Sequence, residues 1–214
     1  MTKVLILGAN GQIARQAERF LAADTDMELT LYLRNKERLA DFQNAHEGVT
    51  LVEGDILDKD TLSQAVAGKD VVSANLAGNN IKEQAEHVVA AMTANKVKRL
   101  IWISTLGIYD EVPGKFGEWN NKVLGDYITH YRSAADVIEG SKLDYTVIRP
   151  AWLTDKTEVD YELTQKNEDF KGTEVSRKSI AAFVYHLILN PKEQVKKSVG
   201  VNKPNTAGDK PSWY

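Results

Sequence analysis

Leu5–Gln16 reads LILGANGQIARQ, and its reading decides the fold. Three apolar residues of strand character run into a turn where Gly8, Gly11 and Ala14 stand three apart. The residues that follow put Ile13, Ala14, Ala17, Phe20 and Leu21 on one helical face. A glycine at a strand end admits a backbone conformation closed to other residues, a second lets a bulky anion approach the main chain, and a small third residue lets helix and strand pack closely. A helix opening at Gly11-Gln12 aims free N–H groups and a partial positive charge at that anion.

Working outward, apolar runs of strand length alternate with helix-period segments, the pattern of a parallel sheet covered on both faces. Strands are expected at Lys3 to Leu7, Leu29 to Leu33, Val49 to Val52, Asp70 to Ala74, Leu100 to Ser104 and Tyr145 to Ile148. Right-handed crossovers then give an α/β, doubly wound, mostly parallel Rossmann sheet of order 3-2-1-4-5-6, with a crevice where the winding reverses after the first and fourth strands. Residues 1–214 read as a single domain. From Ala151 the alternation loosens into a polar stretch up to Lys178, then a helix carries Ile180, Phe183, Val184, Leu187 and Ile188 and stops at Asn190-Pro191, with a last strand near Ser198 to Val201. This small C-terminal extension, 151–214, is expected to cap the substrate side.

The bulk properties narrow the partners. The 214 residues carry 27 basic and 30 acidic side chains, a formal net charge of -3, which gives no reason to expect nucleic acid or an anionic membrane as partner. Lys96, Lys98 and Arg99 read as solvated loop ends. With no cysteine there is neither a disulfide framework nor a thiol nucleophile. The apolar run Val4 to Leu7 is shorter than a signal-peptide core, and no window approaches the ~20 apolar residues of a membrane span, so a cytoplasmic protein is expected. His46, His87, His130 and His186 lack metal-ligand spacing, and no metal is expected. No Gly-x-Ser-x-Gly elbow is present, and Gly114-Lys115 is followed by Phe116, which has no hydroxyl for magnesium.

The anion that suits the glycine turn in this βαβ context is the pyrophosphate of a dinucleotide, held at Gly8, Asn10, Gly11, Gln12 and Ile13. At the end of the second strand, where NAD-binding proteins offer a carboxylate to the ribose, the chain reads LTLYLRNKERL and offers Arg34. A guanidinium binds a 2′-phosphate in a forked geometry and stacks on adenine, with Asn35, Lys36 or Arg38 in support, so NADP(H) is expected over NAD(H).

Further motifs follow in order: GDILD (54–58), NLAG (75–78), WISTLGIY (102–109), LDYTVIRPAWL (143–153) and EVSRKSIAAFV (174–184). With the glycine turn and Arg34, this set resembles the atypical short-chain dehydrogenase/reductase group with NmrA-like or epimerase-like NAD(P)-binding Rossmann domains, nearly end to end. The resemblance implies that Asp55 and Ile56 flank the adenine and that Leu76, Ala77 and Gly78 line the ribose and pyrophosphate path. It sets Ser104 and Thr105 beside the nicotinamide, with Pro150, Ala151 and Trp152 closing over that ring. Typical members carry a Tyr-x-x-x-Lys pair on the helix after the fifth strand, the tyrosine donating a proton and the lysine lowering its pKa. Here that helix reads GDYITHYRSAADVIEGSKLDYT; setting Asp136 where relatives carry Glu puts Ile128 at the tyrosine position and Arg132 at the lysine position, from which it is expected to contact the cofactor.

What remains for catalysis is Ser104 and the pair Tyr127 and Tyr131, four apart on one helical face, which are equally readable as core aromatics at a rim. Three activities stay open. The first is an NADPH-dependent reductase passing hydride to a small flat acceptor such as a quinone, flavin or activated carbonyl, in a pocket walled by Tyr109, Tyr127, Tyr131 and Trp152. The second is a non-catalytic NADP(H) sensor acting on a protein partner. The third is a nucleotide-sugar epimerase or dehydratase, which the missing tyrosine and the short C-terminal extension argue against. Monomer and homodimer both remain open.

Overall fold

Thr2–Leu7 forms the first strand, β1, and its side chains alternate between two cores. Val4 and Ile6 join one buried cluster, which includes Leu29, Leu31 and Leu33, while Leu5 and Leu7 join another with Tyr32, Val72 and Ala74. All four β1 residues are fully buried, each contributing about 1.5–3 kcal/mol of burial, so neither face of this strand meets water.

The computed structural model describes residues 1–214. After β1 the chain runs α1 (Gln12–Ala22), β2 (Met27–Leu33), a 3₁₀ turn at Lys36–Leu39, α2 (Ala40–Ala45), β3 (Val49–Glu53), α3 (Lys59–Val66), β4 (Val71–Ala74), α4 (Ile81–Ala94) and β5 (Arg99–Ile103). It continues with α5 (Gly114–Leu124), α6 (Asp126–Glu139), β6 (Asp144–Pro150), β7 (Trp152–Thr154), β8 (Glu162–Gln165), β9 (Glu174–Ser176), α7 (Arg177–Leu189) and β10 (Lys197–Asn202). The sheet order is β3-β2-β1-β4-β5-β6-β10-β8, so the expected 3-2-1-4-5-6 arrangement is present. It is extended by β10, parallel to β6, and by β8, antiparallel to β10. Helices α1 and α7 pack together on one side of the sheet, and α4 and α6 on the other. None of the helices is long and apolar enough to cross a membrane.

The stretch from Ala151 to Lys178 is more ordered than its sequence suggests. It holds β8 and a separate parallel pair, β7 with β9, in segments of three or four residues, too short and too charged for alternation to show. Arg99 also departs from expectation. Lys96 and Lys98 are exposed, but Arg99 is buried and donates to the Asp144 carbonyl (2.9 Å), the Thr146 hydroxyl (2.8 Å) and the Glu193 carbonyl (3.2 Å). Its guanidinium satisfies main-chain acceptors beneath β6, a task a count of basic letters does not reveal.

Candidate functional site

The crevice between β1 and β4 begins with Gly8. Its φ is +71°, and a Cβ there would lie 2.3 Å from the Asn75 carbonyl oxygen, so only glycine lets the two strand ends approach this closely. The Asn75 amide donates to Leu7 O at 2.9 Å, locking the neighbouring turn alongside. Gly11 then opens α1 in an extended conformation with no side-chain cap, and the first intrahelical bond shown is Arg15 N to Gly11 O. The amides of Gln12 and Ile13 precede it and point outward as free donors. Arg15 binds both the Asn10 side chain (3.2 Å) and the Arg38 carbonyl (3.5 Å), tying the glycine turn to the loop after β2.

Two adjoining cavities fill the crevice and share Gly11, Asn75, Leu76 and Ala77 in their walls. The larger, about 730 Å³, is lined by Gly8, Asn10, Arg34, Asn35, Arg38, Asp55, Ile56 and Gly78, among others. Tyr32 lies along it with its hydroxyl donating to the Asp55 carbonyl (2.8 Å), and its phenol is pushed up to about 12 by burial and by the nearby Asp58 and Asp55 carboxylates. Gly54 is obligatory beside it, since a Cβ would lie 2.2 Å from that hydroxyl. The smaller cavity, about 280 Å³, is lined by Gln12, Ile13, Ser104, Thr105, Tyr127, Tyr131, Pro150, Ala151, Leu153 and Arg177.

Most of the expected cofactor and catalytic residues therefore line one cavity or the other; Arg132 does not. That side chain donates to Asp136 Oδ1 (2.7 Å) and the Ile108 carbonyl (3.2 Å) and lies over the Tyr109 ring, so its guanidinium is spent away from the crevice. Tyr109 is not a wall of the smaller cavity either. Its hydroxyl donates to Glu139 at 2.6 Å, under the cations of Arg132, Arg149 and Lys166. Trp152 is drawn off by aromatic packing against Trp119 (4.8 Å between centroids) and Tyr214 (5.9 Å), with its indole N–H on Asn120, and Leu153 takes its place at the cavity. Lys36 stays outside the larger cavity, while Asn35 and Arg38 line it.

Ser104 immediately follows β5 and is buried. Its amide donates to Ile148 O (2.7 Å), yet its hydroxyl is buried with no partner, and so is the Asn75 side-chain oxygen nearby on the shared wall. Both residues line the crevice, and an unpaired buried oxygen there gains from any ligand group that brings it a bond. Across the smaller cavity the rings of Tyr127 and Tyr131 stack at 4.2 Å. Tyr131 is buried and donates to the Leu76 carbonyl (3.3 Å); Tyr127 is 38% exposed at the mouth. Burial raises the pKa of both phenols, and for Tyr131 the neighbouring Tyr127 raises it further. No lysine stands by to lower them, so both remain protonated at neutral pH and act as donors and walls, not bases.

The loop joining β5 to α5 is held over this end by a buried ion pair. Arg149, on β6, bonds Glu111 and also Ser198 Oγ (3.1 Å), while the Glu111 carboxylate accepts the amides of Gly107 (3.0 Å) and Tyr109 (2.9 Å). Asn75, Leu153 and Arg177 escaped the sequence reading. Asn75 was the first residue of a motif already in view, next to the glycine turn across the sheet; for Arg177 no local signal exists, because only the fold brings the start of α7 to the crevice.

An extended cleft with free helix-terminal amides at its centre, cations at one end and an orphaned hydroxyl at the other fits a nicotinamide dinucleotide. Residues 8–191 match the NAD(P)H-binding family, and the chain belongs to it. A Rossmann-fold NAD(P)-binding family protein from Shigella flexneri is 43% identical, with 99% of this chain and 98% of that one covered at a TM-score of 0.86. A short-chain dehydrogenase/reductase from Veillonella parvula, solved in complex with NADP, is 32% identical over 99% of each chain at a TM-score of 0.92. In Saccharomyces cerevisiae the UPF0659 protein YMR090W is 26% identical, covering 97% of this chain and 96% of its own length. The chain is thus an NAD(P)-binding protein of an oxidoreductase-like family.

Proposed function

We propose that this protein is an NADPH-dependent oxidoreductase that reduces a small flat acceptor, a quinone, flavin or activated carbonyl, without a Tyr-x-x-x-Lys pair. The observation that carries the reading is a cavity lined by Ser104 and a stacked tyrosine pair, which shares its wall with the Arg34 cleft. When bound, the dinucleotide supplies the hydride; the chain supplies orientation and dryness.

The Gln12 and Ile13 amides take the pyrophosphate, and Arg34 with Asn35 and Arg38 takes the 2′-phosphate, which favours NADP(H) over NAD(H). The Veillonella relative's complex with NADP supports the same choice. Ser104 donates or accepts at the nicotinamide end. The two neutral phenols wall the acceptor's place, and solvent reaching the mouth at Tyr127 delivers the proton.

The test is loss of NADPH absorbance on adding quinones, flavins and aldehydes in turn. Turnover with at least one class is expected. Silence across the panel with cofactor bound refutes the reading, and silence together with unequal affinity for NADP⁺ and NADPH supports instead a redox sensor of NmrA-like type.

A further inference from the structure

Among the residues lining the smaller cavity there is one charged side chain, Arg177, and no carboxylate, lysine or histidine. The other walls are main chain, hydroxyls, amides and apolar groups. Arg177 opens α7 directly after Ser176, whose hydroxyl caps that helix by accepting from Ser179 N at 2.9 Å, so the guanidinium is carried by a fixed backbone. Its side chain is 22% exposed, and the ion pair it makes is with Asp155 at 2.8 Å, a side chain 82% exposed. An ion pair with so solvated a carboxylate is weak, and exchanging it for another carboxylate costs little. The cavity therefore holds a planar cation with a removable partner, in a wall that also includes the apolar Ile13, Ala151 and Leu153.

We propose that Arg177 makes this cavity selective for acceptors that carry a carboxylate, with Asp155 occupying the guanidinium until the acceptor's acid group displaces it. The proposal deepens the oxidoreductase reading and rests on it for the word acceptor; the recognition itself needs no turnover. Arg suits the task because its fork binds a carboxylate through two parallel bonds. The flat body of such a ligand would lie toward the tyrosine pair and its acid group toward the start of α7.

The protein, alone and then saturated with NADP⁺, is titrated calorimetrically with 2-naphthoate and with 2-naphthamide, which share a flat body and differ in charge. The wild type is expected to prefer the carboxylate by about tenfold or more, the worth of a charge-assisted pair. Arg177→Met, which keeps the packing stem, abolishes the preference and leaves NADP⁺ affinity within about twofold, whereas Asp155→Asn tightens naphthoate binding by up to about fivefold and leaves naphthamide unchanged. Equal affinities for the two probes, or no heat from either, overturn the proposal. So does an Arg177→Met protein that loses NADP⁺ as readily as naphthoate, because the side chain then serves the cofactor. A retained carboxylate preference with no NADPH oxidation defeats the oxidoreductase reading alone.

Discussion

Arg34 sits where the second strand ends and lines the larger cavity beside Asn35 and Arg38. If its guanidinium holds a 2′-phosphate, Arg34→Ala weakens NADPH binding by about ten- to a hundredfold, the worth of a hydrogen bond to a charged group, and weakens NADH by less than about threefold. Equal losses for the two cofactors contradict the assignment. Fluorescence titration of reduced cofactor reads both. Residues such as Gly8, Arg34 and Ser104 were legible because each immediately follows a strand, so the sequence position fixes the place in the crevice. Side chains farther from a strand end were not. Arg132 occupies the expected helical position, yet Asp136 one turn on and the Ile108 carbonyl capture its guanidinium. Tyr109 and Trp152 are aromatics of the right kind drawn to better partners, the half-buried Glu139 carboxylate in one case and other rings in the other.

At the scale of the element, α1 carries an anomaly within its packed face. Glu18 is fully buried with both carboxylate oxygens unpartnered, on the same face as Ile13, Ala14, Ala17 and Leu21. Burial raises its pKa from 4.5 to about 8, outweighing the nearby Arg15 and Arg19, so the folded state keeps a proton that the unfolded chain has released. The contribution of Glu18 to stability is then fullest below 4.5 and falls between 4.5 and about 8 as pH rises, by about 1.4 kcal/mol per unit at most, and levels off above. Chemical denaturation across that window should show the decline, and Glu18→Met should flatten it and raise stability at neutral pH. An unchanged pH profile in the variant would assign the decline to other groups. The six strands of the first 150 residues, with the helical face of α1, were readable from the spacing of their apolar residues, whereas α2, α3 and α5 were not read. The strands β7, β8 and β9 were not, since each gains its place from partners elsewhere, β8 from β10 and β7 from β9.

For the whole molecule, topology does the positioning. The sheet reverses its winding between β1 and β4, and the two strand ends leave a crevice that the glycine turn floors and the later chain walls. That much followed from the order of apolar runs. Two walls of the smaller cavity did not, because Leu153 and Arg177 reach the crevice through the fold of the stretch after Pro150, whose charged sequence hides its short strands. A calorimetric titration of the purified protein with NADPH and, separately, with NADH tests the central claim most directly. The account predicts saturable heat from NADPH with an affinity at least about tenfold above that for NADH; no heat from either nucleotide would contradict it.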